Sequence, residues 1–209
     1  VPTAMTAGLS PLGGKLANCL LLVILINGGA ANDFAKAEKI MGKKVAVALS
    51  GGVDSSVAAW LLKEEGYEVG GVTMDLGIAA SGERNDARRT GPNADAEARL
   101  VCDRLGIPHH IIDFASDLDK MVIKPFLSAY LRGRTPNPCV ECNRSLKFGS
   151  LLHRVQDLGY DFLATGHYAQ VEHTSGGFRL RKPRDTRKDQ TYFLYALGRK
   201  RLPRVLFPL

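Results

Sequence analysis

Apolar residues along this chain recur with two different periods, which alternate from one segment to the next. Short runs rich in β-branched residues are typical of buried strands, and longer runs with apolar positions three and four residues apart are typical of helices. A glycine, a residue that commonly ends helices, follows three of the longer runs, at Gly66, Gly106 and Gly159. The predicted strands are 44–49, 69–74, 109–113 and 162–165, and the predicted helices are 53–65, 94–105, 118–131 and 144–158.

This alternation of strand and helix predicts an α/β fold with a doubly wound parallel sheet and helices on both faces. Such sheets bind ligands beyond the carboxyl ends of their strands. Two further short strands, at 171–173 and 178–180, are separated by a segment with two glycines, which predicts an appended β-hairpin. The polar residues 77–93 predict a long loop.

The first 42 residues differ in pattern from the rest of the chain. Their apolar run at 20–26 is much shorter than the roughly 20 apolar residues that span a bilayer. We therefore treat residues 1–42 as an N-terminal extension outside the core and residues 43–209 as one domain. Two interpretations of the extension stay open: a weak secretory or organellar leader, or a non-native segment upstream of a start at Met41.

Composition excludes several classes of protein. Of the 209 residues, 45% are hydrophobic and 23% charged, which argues against a disordered chain, a collagen or a coiled coil. Four oddly spaced cysteines argue against a secreted disulfide scaffold. The formal charge is +7, but residues 176–204 hold ten Lys or Arg and only two Asp, so the rest of the chain is close to neutral. This local basicity predicts a polyanionic partner for one segment.

A glycine–serine turn, SGGVDSS at 50–56, lies between the first predicted strand and the first predicted helix. Two glycines let the backbone approach a phosphate, and the N-terminus of the following helix presents N–H groups to it. The turn lacks both the Gly-Lys-Ser/Thr of the P-loop and the G-x-G-x-x-G of dinucleotide-binding folds. It therefore favours a site for pyrophosphate as a leaving group, with an ordinary strand–helix turn as the alternative.

Cys139 and Cys142 form a C-x-x-C pair in a proline-rich segment just before a predicted helix. A structural zinc site needs four ligands and no second pair is present, and a thioredoxin-like redox pair does not suit the glycine turn. Near a helix N-terminus, the pKa of the Cys142 thiol is expected to be lowered, which favours thiolate chemistry. Cys102 falls in a helical apolar pattern and is expected to be buried, and Cys19 lies in the extension.

The glycine–serine turn and four further blocks, taken in order, carry a resemblance to a known family. The turn SGGVDSS resembles the pyrophosphate loop of the ATP pyrophosphatases, which have a Rossmann-like, adenine nucleotide alpha hydrolase-like fold and adenylate a carbonyl oxygen. GRTPNPCVECN at 133–143, KFG at 147–149, ATGHY at 164–168 and KDQTYFL at 188–194 occur in the same order as in tRNA-specific 2-thiouridylases. The resemblance covers residues 43–209.

The resemblance implies ATP-dependent 2-thiolation of the wobble uridine in tRNA, through an adenylated uridine and a persulfide. It implies ATP and Mg²⁺ as cofactors, with Mg²⁺ near Asp54, and tRNAs for Glu, Gln and Lys together with a sulfur-donor persulfide protein as partners. It also implies no membrane and a cytoplasmic location, or an organelle if the extension is a leader.

The implied nucleophile is Cys142. The implied ATP-binding residues are Ala48, Leu49, Ser50, Gly51, Gly52, Val53, Asp54, Ser55, Met74 and Gly166, the last two near the adenine. The residues implied to contact the target base are Asn137, Pro138 and Cys139, and those implied to contact tRNA are His167, Lys188, Asp189 and Gln190. No metal ligand is assigned.

Some alternatives stay open. Many family members carry an acidic residue where this chain has Cys139, which leaves the general acid unassigned and keeps iron–sulfur ligation as an alternative. The family's persulfide-carrying cysteine is expected beyond residue 209, so we expect this chain to be incomplete for sulfur transfer. Its basic stretch, with aromatics at Phe178, Tyr192 and Tyr195, suits phosphate contact and base stacking, and otherwise forms a solvated basic face. Another adenylating synthetase or a truncated ATP- or tRNA-binding module are the alternative functions.

Overall fold

The computed structural model describes Ile40, residues 42–77 and residues 92–209. The predictions for the extension, including Cys19, and for nearly all of the loop at 77–93 fall outside the described residues. In the described part of the chain, no helix combines the length and apolar character that a membrane crossing requires.

Five parallel strands form one sheet, in the order β3-β2-β1-β4-β7. The seven strands of the chain are β1 (Lys44–Ala48), β2 (Glu68–Asp75), β3 (His109–Asp113), β4 (Phe162–Thr165), β5 (Gln170–Thr174), β6 (Gly177–Arg181) and β7 (Val205–Leu206). The chain builds outward from β1 to β3 on one side and then crosses to β4 on the other side. The strand order therefore reverses between β1 and β4, the position where doubly wound sheets open a crevice at their carboxyl ends.

Three of the four predicted helices begin earlier in the described residues than the sequence predicts, at 92, 115 and 138 instead of 94, 118 and 144. The helices are α1 (Val53–Glu64), α2 (Pro92–Leu105), α3 (Ala115–Leu118), α4 (Lys124–Leu131), α5 (Pro138–Glu141) and α6 (Leu152–Asp157). π-helical segments join α3 to α4 at Asp119–Ile123 and α5 to α6 at Cys142–Leu151. We call the continuous helix at 138–157 the cysteine helix.

The cysteine helix starts at Pro138, six residues before the predicted start at 144, because its N-terminus is capped locally. The Asn137 side-chain oxygen accepts hydrogen bonds from the N–H groups of Cys139, at 3.0 Å, and Val140, at 3.3 Å. Asparagine is a preferred N-cap, and proline is favoured at the first helical position, where its missing N–H costs nothing.

Both faces of the sheet are covered, as the strand–helix alternation predicts. Alternate residues of β1 point to opposite faces, so Val45 and Val47 pack with α1 and α2. Ala46 packs on the other face with the cysteine helix, where Leu151 is fully buried. The predicted doubly wound α/β fold is confirmed.

The appended hairpin is confirmed as well. β5 and β6 pair antiparallel, with Val171 opposite Leu180. After the hairpin come three short 3-10 turns, Thr186–Lys188, Thr191–Leu197 and Leu202–Arg204, and then β7. The sequence analysis did not predict β7, because a strand of two residues has no periodic pattern to detect.

Leu163→Ala is expected to lower the free energy of unfolding by about 2–5 kcal/mol, because it leaves a cavity in the core. Leu163 lies in β4 and is fully buried against the cysteine helix face of the sheet. Urea denaturation followed by circular dichroism measures the change. Leu158→Ala is the matched control: Leu158 is 48% exposed, and we expect a change within about 0.5 kcal/mol. Equal losses for the two variants would contradict the packing described here.

Candidate active site

A cavity of about 210 Å³ opens at the carboxyl ends of β1 and β4, where the strand order reverses. Its lining residues are Ala48, Leu49, Ser50, Asp54, Ser55, Val72, Met74, Lys147, Thr165, Gly166, His167 and Gln190. Seven of the ten residues implied to bind ATP are therefore brought together around one cavity. The other three, Gly51, Gly52 and Val53, lie in the turn between lining residues and do not line the cavity themselves.

The turn is held by hydrogen bonds of its own serines. Ser50 N–H donates to Ser55 Oγ at 3.3 Å, and Ser55 Oγ donates to the Gly52 carbonyl at 3.0 Å. Gly51 has a φ of +75°, in the left-handed region that favours glycine. Among the described residues, no side chain caps α1 at Gly52, so the first N–H groups of α1 lack the acceptor that a capping side chain supplies. Serine hydroxyls and helix N–H groups together can donate to an anion.

Gly166 follows β4 and lies directly against the first turn of α1. A Cβ at this position would come within 2.7 Å of the Asp54 carbonyl carbon and of the Ser55 backbone nitrogen. Both are backbone atoms of the helix, which cannot move away as the end of a flexible side chain could. Only a glycine therefore allows the end of β4 to approach the turn this closely.

His167 forms part of the cavity wall, and its ring is held on two sides. Nδ1 lies 2.7 Å from Thr165 Oγ1, and the ring contacts those of Phe148 and Phe207. Burial lowers the pKa of His167 to about 3, with a further lowering by the charge of Lys147. The imidazole is therefore neutral at physiological pH.

The free energy of unfolding is expected to fall less on acidification in His167→Gln than in the wild type. The folded-state pKa of about 3 lies below the unfolded value of about 6.5, so the unfolded chain gains a proton first as the pH falls. The contribution of His167 is thus fully present above about pH 6.5 and is lost as the pH falls towards 3. Urea midpoints at pH 7 and pH 4.5 test this, since the wild-type drop should exceed that of His167→Gln. Equal falls of the urea midpoint in the two proteins would contradict it. Burial also lowers the pKa of His109, but this histidine is present in both proteins and therefore does not affect the difference between them.

A tyrosine links the turn to the basic segment. Tyr168 OH donates to Asp54 Oδ1 at 2.9 Å, and Lys188 Nζ lies 3.4 Å from the same hydroxyl and 4.8 Å from the centre of its ring. The Tyr168 N–H donates to Gln190 Oε1 at 2.9 Å. Hydrogen bonding to Tyr168 raises the pKa of Lys188. Sequence reasoning gave Tyr168 no role, because its partner Asp54 is 114 residues away.

The expected lowering of the pKa of Cys142 is wrong. Cys142 is half-buried, and its burial raises the pKa; the thiol of Cys139 and the carboxylate of Glu141 raise it further, while Lys147 lowers it. Because the helix begins at Pro138, Cys142 lies beyond the first turn, where the effect of the helix dipole has declined.

The other cysteines lie in contrasting surroundings. Cys139 is exposed, and Cys102 is buried as predicted, with burial raising its pKa to about 11. In the described ranges, 42–77 and 92–209 with Ile40, no group of three or more His, Cys, Asp or Glu side chains is placed to hold a metal ion.

The cysteine helix reaches the cavity through Lys147 and not through Cys142, which does not line it. Sequence reasoning quoted Lys147 within the block KFG but assigned it no function. The usable signal is its spacing of five residues from Cys142, which becomes meaningful only when this part of the helix is known to be π-helical.

A basic surface extends from the hairpin towards the cavity. Its exposed cations are Arg179, Arg181, Lys182, Arg184, Arg187 and Lys188. Lys182 pairs with Asp189 at 3.5 Å. Tyr192 and Tyr195 are exposed nearby, with ring centres 6.0 Å apart. Exposed aromatic rings beside cations suit both phosphate contact and base stacking.

The comparisons with known proteins agree on one family. The family model described as tRNA methyl transferase HUP domain matches residues 43–209. A relative from Syntrophus aciditrophicus, named tRNA-specific 2-thiouridylase MnmA 1, is 54% identical over 187 residues, covering 90% of this chain and 50% of the relative. The tRNA-specific 2-thiouridylase MnmA of Clostridium botulinum strain Alaska E43 is 48% identical over 167 residues, which cover 79% of this chain and 46% of that relative.

A solved structure is also similar to this chain. It is the U34-tRNA thiolase NcsA from Methanococcus maripaludis with its 4Fe–4S cluster, at 30% identity and a TM-score of 0.41, covering 65% of this chain and 44% of that chain. The chain spans about half the length of the curated relatives it matches.

Proposed function

The chain belongs to the tRNA-specific 2-thiouridylases, within the tRNA methyl transferase HUP domain family, and from this membership we propose that it acts in ATP-dependent 2-thiolation of the wobble uridine of tRNA. The observation that carries the proposal is the cavity between β1 and β4, in which the serine turn, Gly166 and the cysteine helix meet.

ATP is proposed to bind with its phosphates on the serine turn. Ser50 and Ser55 line the cavity, and Ser55, with Asp54, belongs to the first turn of α1. Serine hydroxyls and helix N–H groups stabilise phosphate charge. Met74 and Gly166, at the carboxyl ends of β2 and β4, suit the apolar faces of an adenine ring.

Asp54 fits the role of a Mg²⁺ ligand. Mg²⁺ in nucleotide sites is commonly bound by one or two carboxylates together with substrate phosphates and water. Among the described residues that line the cavity, Asp54 is the one carboxylate, and its Oδ1 accepts a hydrogen bond from Tyr168. When bound, Mg²⁺ supplies charge that offsets the charge of the departing pyrophosphate.

The proposed reaction has three bond-exchange steps. The 2-oxygen of a flipped-out uridine attacks the α-phosphorus of ATP, and the bond to pyrophosphate breaks. A sulfur of the donor persulfide then attacks C2, and AMP leaves with the former C2 oxygen. The Cys142 thiolate finally attacks the sulfur of the persulfide-carrying cysteine in the resulting C2–S–S linkage, which forms a disulfide between the two cysteines and leaves 2-thiouridine. A thiol reductant must reduce that disulfide before the next turnover.

The tRNA is proposed to approach over the basic surface. Lys188, Asp189 and Gln190 lead from this surface to the cavity, where Gln190 is a lining residue. Asn137 and Pro138 begin the cysteine helix, with the exposed Cys139 beside them, and this end of the helix is proposed to meet the target base. The expected substrates are the tRNAs for Glu, Gln and Lys.

Release of pyrophosphate that depends on tRNA tests the proposal. The 209-residue chain is incubated with ATP, Mg²⁺ and a transcript of tRNA for Glu, Gln or Lys, and pyrophosphate is quantified. The matched control is the same transcript with cytidine at the wobble position, which should give no release above background. Release that needs only a small acceptor would instead indicate an amidating synthetase, and ATP binding without any release would indicate a binding module.

A further inference from the structure

The cysteine helix has an unusual hydrogen-bond pattern at the point where it passes the cavity. Ten residues, Cys142–Leu151, are π-helical, with hydrogen bonds between residues five apart. π-helical turns are rare, mostly single, and frequent at functional sites. In an α-helix, residues three and four apart are neighbours on one face. In a π-helix the hydrogen bond spans five residues, so Lys147 lies closer to the face of Cys142 than it would in an α-helix.

The position of Lys147 is fixed by its neighbours in the helix. Leu146 and Phe148 are both fully buried in the core beneath the sheet. Lys147, between them, is half-buried and lines the same cavity as the serine turn. The rotation of the helix is therefore set by packing, and the lysine is directed to the cavity as a consequence.

The serine turn lacks the lysine that a P-loop uses to neutralise phosphate charge. Among the described residues that line the cavity, Lys147 is the one lysine or arginine, and His167 is neutral. A cation is thus supplied to the cavity after all, but from a different segment of the chain, the cysteine helix.

The charge of Lys147 acts on groups on both sides of it. It lowers the pKa of His167 in the cavity wall and the pKa of Cys142 on its own helix. The other groups that act on the Cys142 thiol are Cys139 and Glu141, and both oppose the lysine. Lys147 is therefore a cation that both lines the nucleotide cavity and acts on the thiol.

We propose that Lys147 is a nucleotide-binding residue shared by two sites: its ammonium binds the α-phosphate of the nucleotide in the cavity and faces the sulfur of Cys142 along the π-helical segment. This inference rests on the proposed function. The serine turn is proposed to take the pyrophosphate end of ATP, and Lys147, a cation from a different segment of the cavity lining, is assigned to the phosphate that stays with the adenosine. Its second role, towards Cys142, is that of a positioning residue that stabilises the thiolate.

Lys147→Met and Lys147→Arg test the first role by isothermal titration calorimetry with ATP, AMP and pyrophosphate. The methionine variant should weaken ATP and AMP binding by about 10- to 100-fold, the range expected for one charge-assisted hydrogen bond, and leave pyrophosphate binding nearly unchanged. The arginine variant should recover most of the affinity. Lys124→Met, an exposed lysine on α4 outside the cavity lining, is the control and should bind like the wild type.

The pH profile of iodoacetamide alkylation at Cys142, read by mass spectrometry of its peptide, tests the second role. Lys147→Met should move this profile to higher pH, and Lys147→Arg and Lys124→Met should not. Urea midpoints show that each variant is folded.

Three results with a folded Lys147→Met variant would overturn the inference. They are an unchanged affinity for ATP and AMP, a loss of affinity for pyrophosphate alone, and an alkylation profile of Cys142 that matches the wild type. A wild-type chain that binds no adenine nucleotide would overturn the proposed function and this inference with it.

Discussion

Gly166→Ala is expected to lower the affinity for ATP by roughly 100-fold, the loss of one or two charge-assisted hydrogen bonds. The added Cβ would meet the backbone of Asp54 and Ser55 at 2.7 Å, closer than real Cβ atoms approach other heavy atoms. Either α1 or the end of β4 must then move, and both carry groups that line the cavity. Calorimetric titration with ATP in the presence of Mg²⁺ measures the change.

Gly176→Ala is the matched control for this experiment. Gly176 lies in the turn of the hairpin, where an added Cβ meets its nearest neighbour, an Arg179 nitrogen, at an ordinary 3.7 Å. This variant should bind ATP like the wild type. Circular dichroism and urea midpoints establish that both variants retain the fold. A folded Gly166→Ala variant with wild-type affinity would show that ATP does not bind at the serine turn.

The sheet could be predicted from the sequence because its signals are local. Four of its five strands are short runs of mainly apolar or β-branched residues, and β7, with only two residues, is the exception. Gly66, Gly106 and Gly159 end their helices with positive φ values. The start of the cysteine helix was misplaced, although its signal is also local. Asn137 followed by Pro138 is a good N-cap and first helical residue, but the helix was predicted to begin only after this proline-rich segment.

From the residue pattern alone, the candidate site could be predicted only where one segment supplies it; Met74 and Gly166, which also line the cavity, were implied by the resemblance to the family. The serine turn is contiguous, so the sequence indicates it directly. The positions of Lys147 and Tyr168 at the site could not be predicted from one segment. Lys147 reaches the cavity from a π-helical segment, and Tyr168 bonds to Asp54 in the distant serine turn. The error in the pKa of Cys142 has the same origin, because burial depends on residues that pack from elsewhere in the chain.

Cys142→Ser is expected to reduce the formation of 2-thiouridine by at least about 10³-fold, the scale seen when a nucleophile is removed. A serine hydroxyl is not ionised at working pH and cannot take the place of a thiolate at sulfur. Pyrophosphate release should persist, because uridine adenylation precedes the step that uses the cysteine. In the assay, glutathione persulfide is added to supply the persulfide that the 209-residue chain is not expected to carry, and 2-thiouridine is quantified by mass spectrometry.

The wild-type reaction should leave a mixed disulfide between Cys142 and glutathione, since the thiolate attacks the donor sulfur of the C2–S–S linkage. Because burial raises the pKa of Cys142, this step should also accelerate as the pH rises above neutral. Cys102→Ala removes a thiol that is buried away from the cavity, and it should retain thiolation with only a loss of stability. Thiolation by Cys142→Ser at the wild-type rate, or a mixed disulfide found at Cys102, would refute the role of Cys142. The adenylation step would then be tested separately, by pyrophosphate release.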